Sequence, residues 1–242
     1  MRNYKIETEK RVQFIQKQLE ESGAKGLVFG NSGGKDSVLV GILCKKACDD
    51  TVGLIMPCCS DCNYGDDLTD ALMISNLFRI EARKVDLTKT AEATKKALKE
   101  ATGITKAAEA NIAPRLRMTA LYAVAGAENR LVAGTGNKSE RHMGYFTKWG
   151  DGAFDFNPIA DLTVSEIYEF LTYLDAPKRI IQKTPSAGLY DGQTDEAEMG
   201  VTYKAIDEYL QSGVCDPDDM EIITRNHKIT RHKRNPPVVY KE

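Results

Sequence analysis

The fold of this chain is decided by the hexapeptide Ser32-Gly33-Gly34-Lys35-Asp36-Ser37 and by the two segments that flank it. The preceding run, Gly26–Gly30 (GLVFG), is short, apolar and bounded by glycines, which is typical of a buried strand. The following residues, 36–48, carry apolar side chains at helical spacing and predict a helix. The hexapeptide is therefore a glycine-rich turn that leads from a buried strand directly into a helix.

This turn has the chemistry of a phosphate-binding loop. Two adjacent glycines let the backbone approach an anion closely, and the free N–H groups at a helix start attract phosphate oxygens. Ser32, Lys35 and Ser37 add hydroxyl and ammonium donors, whereas Asp36 fits beside phosphate only with Mg²⁺ between the two anions. The alternative is a simple capped turn, because Asp and Ser are good N-cap residues. The spacing G-x-x-x-x-G-K-[ST] is absent, so the loop is not of the Walker A type.

Outward from the hexapeptide, predicted strands and helices alternate. Further helices are predicted over 4–22, 66–78, 90–101 and 114–127, further strands over 51–56, 82–87 and 131–135, and a helix from the capping box at Thr163 through Leu174. This alternation predicts an α/β fold whose parallel sheet carries helices on both faces. Residues 184–200 show neither pattern, and we expect them to be an active-site loop.

Composition excludes several classes of protein. The chain has 242 residues, enough for a full core, and its net charge of −2 argues against a strong nucleic-acid-binding protein. No apolar run approaches the roughly 18 residues of a membrane span. The first ten residues, MRNYKIETEK, lack the apolar region of a secretory signal, so we expect a cytoplasmic protein with reduced cysteines.

Three cysteines lie close together in the sequence. Cys58, Cys59 and Cys62 could begin a metal or iron–sulfur site, because thiolates at short spacing are typical ligands. No companion pair stands elsewhere in the sequence, where Cys215 is alone and Cys44 and Cys48 fall on one predicted helix or at its end. We favour the interpretation that these are ordinary buried or loop thiols.

The hexapeptide resembles the pyrophosphate loop of the ATP pyrophosphatase superfamily, whose members split ATP into AMP and pyrophosphate to activate a substrate as its adenylate. Later segments resemble one family within it, the NAD synthetases, in that family's order over roughly residues 26–238. These segments are 132–140 (VAGTGNKSE), 144–152 (GYFTKWGDG), 155–162 (DFNPIADL), 185–189 (PSAGL), 192–196 (GQTDE) and 232–234 (HKR).

The resemblance implies a fold, a reaction and partners. The fold would be a Rossmann-like, adenine nucleotide alpha hydrolase-like sheet. The reaction would be the ligase step of NAD biosynthesis, in which deamido-NAD is adenylated by ATP with Mg²⁺ and ammonia then displaces AMP. A glutamine-using version carries an additional glutaminase domain, so we expect residues 1–242 to form a single ammonia-dependent synthetase domain. Relatives are homodimers, which implies the same state here.

The resemblance also assigns roles by position. It makes Asp36 and Glu140 the catalytic Mg²⁺ ligands. The positions for ATP are Ser32, Gly33, Gly34, Lys35, Asp36, Ser37, Thr135 and Ser186, and those for deamido-NAD are Arg115, Lys148, Asp155, His232 and Lys233. One position departs from the family: Val164 stands where relatives commonly have an ATP-contacting lysine. We expect a partly exposed first-turn position there, at which Val164→Lys would improve ATP binding unless Lys148 or Lys183 compensates.

Two other functions remain open at the level of sequence. A tRNA-thiolating enzyme with a pyrophosphate loop would explain the hexapeptide and would use the cysteines, but the near-neutral charge and the segments from 132 to 196 disfavour it. A nucleotide-binding module without activity is the other alternative. The acidic residues Asp36 and Glu140 disfavour that module, because binding alone does not require both.

Overall fold

The computed structural model describes residues 2–58, 61–189 and 192–240, and for residues 61 and 62 it describes the backbone alone. Four strands form one parallel sheet, in the order β3-β2-β1-β4. The strands are β1 (Gly26–Gly30), β2 (Thr51–Ile55), β3 (Glu81–Lys84) and β4 (Arg130–Ala133). The predicted α/β architecture with a parallel sheet is therefore confirmed.

The helices that surround this sheet follow the predicted alternation and then continue beyond it. They are α1 (Tyr4–Ser22), α2 (Lys35–Ala47), α3 (Asp61–Tyr64), α4 (Asp66–Leu77), α5 (Thr88–Ala101), α6 (Lys106–Ala110), α7 (Ile112–Glu128), α8 (Lys138–Met143), α9 (Val164–Tyr173), α10 (Lys178–Ile181), α11 (Asp195–Met199), α12 (Tyr203–Ser212), α13 (Pro217–Ile229) and α14 (Arg231–Arg234). Within the described part of the chain, no helix combines the length and the apolar character needed to cross a membrane.

The strand order places a crevice where β1 and β4 end. The chain leaves β1 toward β2 on one side and reaches β4 on the other, and the carboxyl ends of such diverging strands form a natural ligand site. Phe29 pairs with Ala133, so the residues that follow these two strands emerge at the same edge. The loop before α2 and the loop before α8 therefore meet there.

The sheet buries a core on each face. Leu27 and Phe29 pack on one side against α1, α2 and α9, whereas Val28 packs on the other side with α5 and α7. This alternation follows from the two-residue repeat of a strand. A third apolar cluster lies away from the sheet and joins α8, α9, α12 and α13. It includes Met143, Val164, Tyr203, Ile206 and Ile223.

The structure differs from the sequence prediction in the short helices α3, α6, α8 and α10, which were not predicted, and in two longer segments. Residues 184–200 were expected to lack regular structure, but they contain the short helix Asp195–Met199, while the other described residues there are irregular. The sequence also gave no helix prediction for residues 201–234, which form α12, α13 and α14. The third cluster explains α12 and α13, because their apolar residues are buried against α8 and α9 rather than against the sheet, whereas α14 has no buried residue.

Candidate phosphate and metal site

The turn between β1 and α2 has a backbone that only glycine allows. Gly33 adopts φ +71°, and a Cβ atom there would lie 2.7 Å from the carbonyl oxygen of Asp67. Gly34 is the N-cap of α2 and has no side chain to bond the first-turn amides. The hydroxyl groups of Ser32 and Ser37 lie 3.1 Å apart beside this turn. The N-terminus of α2 is thus left without a side-chain cap, as a phosphate site requires.

An ion pair lies at the start of α2. The Nζ atom of Lys35 is 2.9 Å from Oδ2 of Asp36, and it lies 5.2 Å from the centre of the Tyr203 ring. Burial opposes the positive charge of Lys35, but the carboxylates of Asp36 and Glu140 hold its pKa above the ordinary value. Lys35 is therefore charged, although only 7% of its surface is exposed.

Glu140 reaches the same place from the β4 side. It lies at the third position of α8 in a capping box, where Asn137 N donates to Glu140 Oε2 (3.1 Å) and Glu140 N donates to Asn137 Oδ1 (2.9 Å). Burial raises the pKa of Glu140 well above its ordinary value, and the charge of Asp36 raises it further. The two predicted metal ligands lie on helices that follow different strands, Asp36 on α2 and Glu140 on α8. They are close enough for the charge of Asp36 to raise the pKa of Glu140.

Asp195 is a third carboxylate in this group, and the sequence analysis missed it. Only 4% of its surface is exposed, and its Oδ1 atom has no hydrogen-bond partner, while Oδ2 accepts from the hydroxyl of Tyr203 at 2.9 Å. Burial raises its pKa. The motif GQTDE contains Asp195 and could have indicated it, but nothing local in the sequence shows that Asp195 and Asp36 both lie near Glu140.

The charge balance of this group fits a divalent cation. Of the residues that the structure describes, Asp36, Glu140 and Asp195 face the ammonium of Lys35, and burial makes this excess of negative charge costly without a further cation. Among the described residues, no three His, Cys, Asp or Glu side chains are arranged to hold a metal alone. Carboxylate oxygens are ligands that Mg²⁺ prefers, and Mg²⁺ commonly takes substrate phosphates as further ligands.

The other two predicted ATP positions lie in loops at this end of the sheet. Thr135 is half-buried in the loop between β4 and α8. Ser186 is exposed, and its hydroxyl oxygen accepts from Gly188 N at 3.1 Å. The segment around Ser186 is held to α4, because Asn63 Nδ2 donates both to Gly188 O and to the Asp67 carboxylate. Since Asp67 also packs on Gly33, this segment adjoins the phosphate loop.

Four of the five predicted dinucleotide positions form a second, basic group. Arg115 donates to the carbonyl of Lys148, and the Nζ atom of Lys148 donates to the carbonyl of His232 at 2.8 Å. Lys233 donates to the carbonyls of Gly144 and Phe146, and burial lowers its pKa. These contacts bring α7, the 144–150 loop and α14 together.

Asp155, the fifth dinucleotide position, has different contacts. Its Oδ2 atom accepts from the amide of Val132 at 2.7 Å, and its Oδ1 atom accepts from the hydroxyl of Tyr122 at 3.2 Å. Asp155 as a whole residue is exposed. Tyr122 and Arg115 share α7, which is the link between Asp155 and the basic group.

The expectation that Val164 is partly exposed is wrong. Only 3% of its surface is exposed, because it packs in the third apolar cluster with Met143, Tyr203 and Ile206. A lysine here would be buried among apolar side chains instead of facing phosphate.

Neither proposed substitute for a lysine at position 164 is free. Lys183 pairs with Asp67 and Asp70, and Lys148 is bound to the carbonyl of His232.

Only one member of the cysteine group, Cys58, has a side chain among the described residues. Cys58 is buried, whereas Cys59 and the side chain of Cys62 lie outside the described residues. The described cysteines Cys44, Cys48, Cys58 and Cys215 form no disulfide. Burial raises the pKa of Cys44, as expected of a thiol that acts as a small apolar side chain.

Comparison with known proteins agrees with this geometry. The NAD synthase family model matches residues 7–237. The NH(3)-dependent NAD(+) synthetase of Carboxydothermus hydrogenoformans is 46% identical over 240 residues, which cover 98% of both chains. The structure of an NMN synthetase from Francisella tularensis superposes with a TM-score of 0.94 at 37% identity, and an NH3-dependent NAD synthetase from Campylobacter jejuni with 0.82 at 31%, each covering 100% of both chains.

Proposed function

The chain belongs to the NAD synthase family and catalyses ammonia-dependent NAD synthesis, and on that premise we propose that it amidates deamido-NAD with ATP and Mg²⁺. The observation that carries the proposal is the N-terminus of α2, which has no side-chain cap, beside the partly buried carboxylates of Asp36 and Glu140. A tRNA-thiolating activity is not favoured, since the family match covers nearly the whole chain.

We propose that the phosphate loop binds the ATP phosphates. The first-turn amides of α2 and the hydroxyl groups of Ser32 and Ser37 are the donors, and Lys35 adds a charge. Gly33 and Gly34, whose own amides donate to Asn31 Oδ1 and Ser32 Oγ at 3.3 Å, let the backbone approach the phosphates closely. Asp36 and Glu140 would hold Mg²⁺, which when bound neutralises charge that develops on the phosphates. We also assign Thr135 and Ser186 to ATP.

In this mechanism the nicotinate carboxylate of deamido-NAD attacks the α-phosphate of ATP, and the bond to pyrophosphate breaks. The carboxyl group then carries AMP as a good leaving group in place of an oxide ion. Ammonia attacks the adenylated carboxyl carbon, the bond to AMP breaks, and a proton leaves the nitrogen to give the amide of NAD. The protein's contribution is to position the two substrates and to stabilise negative charge.

We propose that the basic group binds the second substrate. Arg115, Lys148, His232 and Lys233 place four basic side chains on adjoining elements, which suits the phosphates of a nucleotide. Asp155, an exposed carboxylate that can accept further hydrogen bonds, suits hydroxyl groups of a ribose. We further propose that the enzyme works as a cytoplasmic homodimer, for which the small residues along α7 allow close helix packing.

Nicotinate mononucleotide is a second candidate substrate. The close superposition on the NMN synthetase, over the whole of both chains, favours testing it. The ratio of kcat/KM values for deamido-NAD and nicotinate mononucleotide decides between them, and we expect deamido-NAD to have the higher value.

Product analysis tests the proposed reaction. Purified protein with ATP, deamido-NAD, ammonium and Mg²⁺ should form NAD, AMP and pyrophosphate in equal amounts. Omission of Mg²⁺ or deamido-NAD should stop AMP formation, and glutamine should not replace ammonium in an ammonia-free assay. Formation of ADP instead of AMP would contradict the proposal.

A further inference from the structure

We propose that Asn137 is a positioning residue that holds the two carboxylates of the candidate metal site, Asp36 and Glu140, in a fixed relation. The inference rests on the proposed function, because it concerns how this chain prepares its metal ligands. Asn137 follows β4 as the N-cap of α8, and none of its surface is exposed.

Asn137 contacts both carboxylate residues directly. Its Nδ2 atom donates to Oδ1 of Asp36 at 3.0 Å, across 101 positions of sequence. Its Oδ1 atom accepts from Glu140 N at 2.9 Å, and its own backbone amide donates to Glu140 Oε2 at 3.1 Å. One buried residue therefore joins the start of α2 to the start of α8.

Of the side chains that cap helices well, only an amide can also donate a hydrogen bond to Asp36 from this position. It accepts a hydrogen bond as an N-cap and donates another to Asp36, whereas serine would cap the helix without reaching Asp36. The backbone on either side is also held, because Asn157 Nδ2 donates to Gly136 O at 2.8 Å and Lys138 N donates to Leu162 O at 2.8 Å. Asn137 thus lies in a fixed loop rather than at a mobile end.

The consequence concerns the cost of gathering two carboxylates. Asn137 holds Asp36 and Glu140 close together, and two carboxylates at such a place repel each other. A donor that binds one carboxylate and orients the other lowers that cost before a metal arrives. Partners of metal ligands commonly change metal affinity by about 10–100-fold when they are removed.

The chain offers a matched control in a second capping box. Thr163 and Glu166 form the same reciprocal pair at the start of α9, but Thr163 has no contact with Asp36 in the described structure. Asn137→Ala and Thr163→Ala each remove one cap, whereas Asn137→Ser keeps the cap at α8 and removes only the donor to Asp36.

The test measures metal binding and thermal stability separately. Mn²⁺ is titrated calorimetrically into each variant with an ATP analogue that has a methylene group between the α and β phosphorus atoms. We expect Asn137→Ser to weaken Mn²⁺ binding about tenfold while Tm stays within about 2 °C of the parent. Asn137→Ala should weaken Mn²⁺ binding and also lower Tm. Thr163→Ala should lower Tm by roughly 2–4 °C without weakening Mn²⁺ binding.

Two results would overturn the inference: unchanged Mn²⁺ binding in Asn137→Ser, or equal weakening in Thr163→Ala. The half-saturating Mg²⁺ concentration for AMP formation should rise in parallel with the Mn²⁺ dissociation constant. Failure of the proposed function would look different, because the parent protein itself would then form no AMP or would not depend on Mg²⁺.

Discussion

The N-termini of α2 and α9 are two helix starts of opposite character. At α2 the N-cap is Gly34, and no side chain bonds the first-turn amides. At α9 all three first-turn amides are taken: Val164 N donates to the Ser139 hydroxyl, Ser165 N to the Asp207 carboxylate, and Glu166 N to the Thr163 hydroxyl. A helix start attracts anions only while its amides are available.

The difference shows why one helix suits ATP and the other does not. Asp207 is buried, and its Oδ1 atom also accepts from the Ser139 hydroxyl at 2.5 Å. At α9 the protein's own carboxylate thus occupies the position that a phosphate would take. At α2 the first-turn amides have no side-chain acceptor, and we propose that a ligand phosphate takes that place.

The largest effect is expected from removing the charge of Asp36, the acidic residue in the first turn of α2. Asp36→Asn should lower the rate of AMP formation at least about 1000-fold, or ~4 kcal/mol, because a proposed Mg²⁺ ligand loses its charge. Glu166→Gln is the matched control at α9, where the Glu166 carboxylate accepts hydrogen bonds from Arg2 Nε and from the backbone amide of Thr163. Steady-state rates should separate the two variants, and an active Asp36→Asn protein would refute the role of Asp36.

Next in size is the effect of a lysine at the start of α9. Val164→Lys should reduce the free energy of unfolding by about 3 kcal/mol or more, because the new charge replaces a side chain that is only 3% exposed. The KM for ATP should not fall in whatever protein remains folded. Urea unfolding measures the first effect, and a lower KM would mean that the amides of α9 do take part in ATP binding.

Much of this contrast could not be predicted from sequence. The glycines and the flanking strand and helix predicted the phosphate loop, because the residues that define this turn are adjacent in the sequence. The buried state of Val164 depends on α12 and α13, which follow it in the chain and carry the apolar residues that cover it. A pattern within the first turn of α9 contains no sign of that contact.

The residues of the candidate metal site also differ in whether the sequence predicts them. Asp36 and Glu140 were predicted because each lies in a recognisable motif, and the structure brings them together. Asp195 and the bond from Asn137 to Asp36 were not predicted, because they depend on how distant segments approach each other. Local chemistry can be predicted from residues, whereas the pairing of distant polar groups requires the fold.

A smaller effect is expected from a methyl group in the α2 turn. Gly33→Ala should raise the KM for ATP about 100-fold, because the added Cβ would meet the Asp67 carbonyl at 2.7 Å in a left-handed backbone conformation. Gly213→Ala is the control, since Gly213 has φ +77° but nothing within 4 Å of its Cβ position. Equal KM values for the two variants would show that close backbone packing at Gly33 is unimportant.

The smallest effect should come from opening the α9 start. Asp207→Ala removes the acceptor of Ser165 N and of two hydroxyl groups, and should cost about 2 kcal/mol of unfolding free energy. The KM for ATP, measured well below Tm, should stay within about twofold of the parent value. A rise of tenfold would indicate that α9 takes part in nucleotide binding.

One measurement tests the difference between the two helix starts most directly. Backbone amide resonances are recorded by NMR while pyrophosphate with Mg²⁺ is added to the full chain. The amides from Gly33 to Ser37 should shift in proportion to binding, and those of Val164, Ser165 and Glu166 should not. Shifts at α9 with none at α2 would contradict the account, because the phosphates would then bind at the helix start that Asp207 already fills.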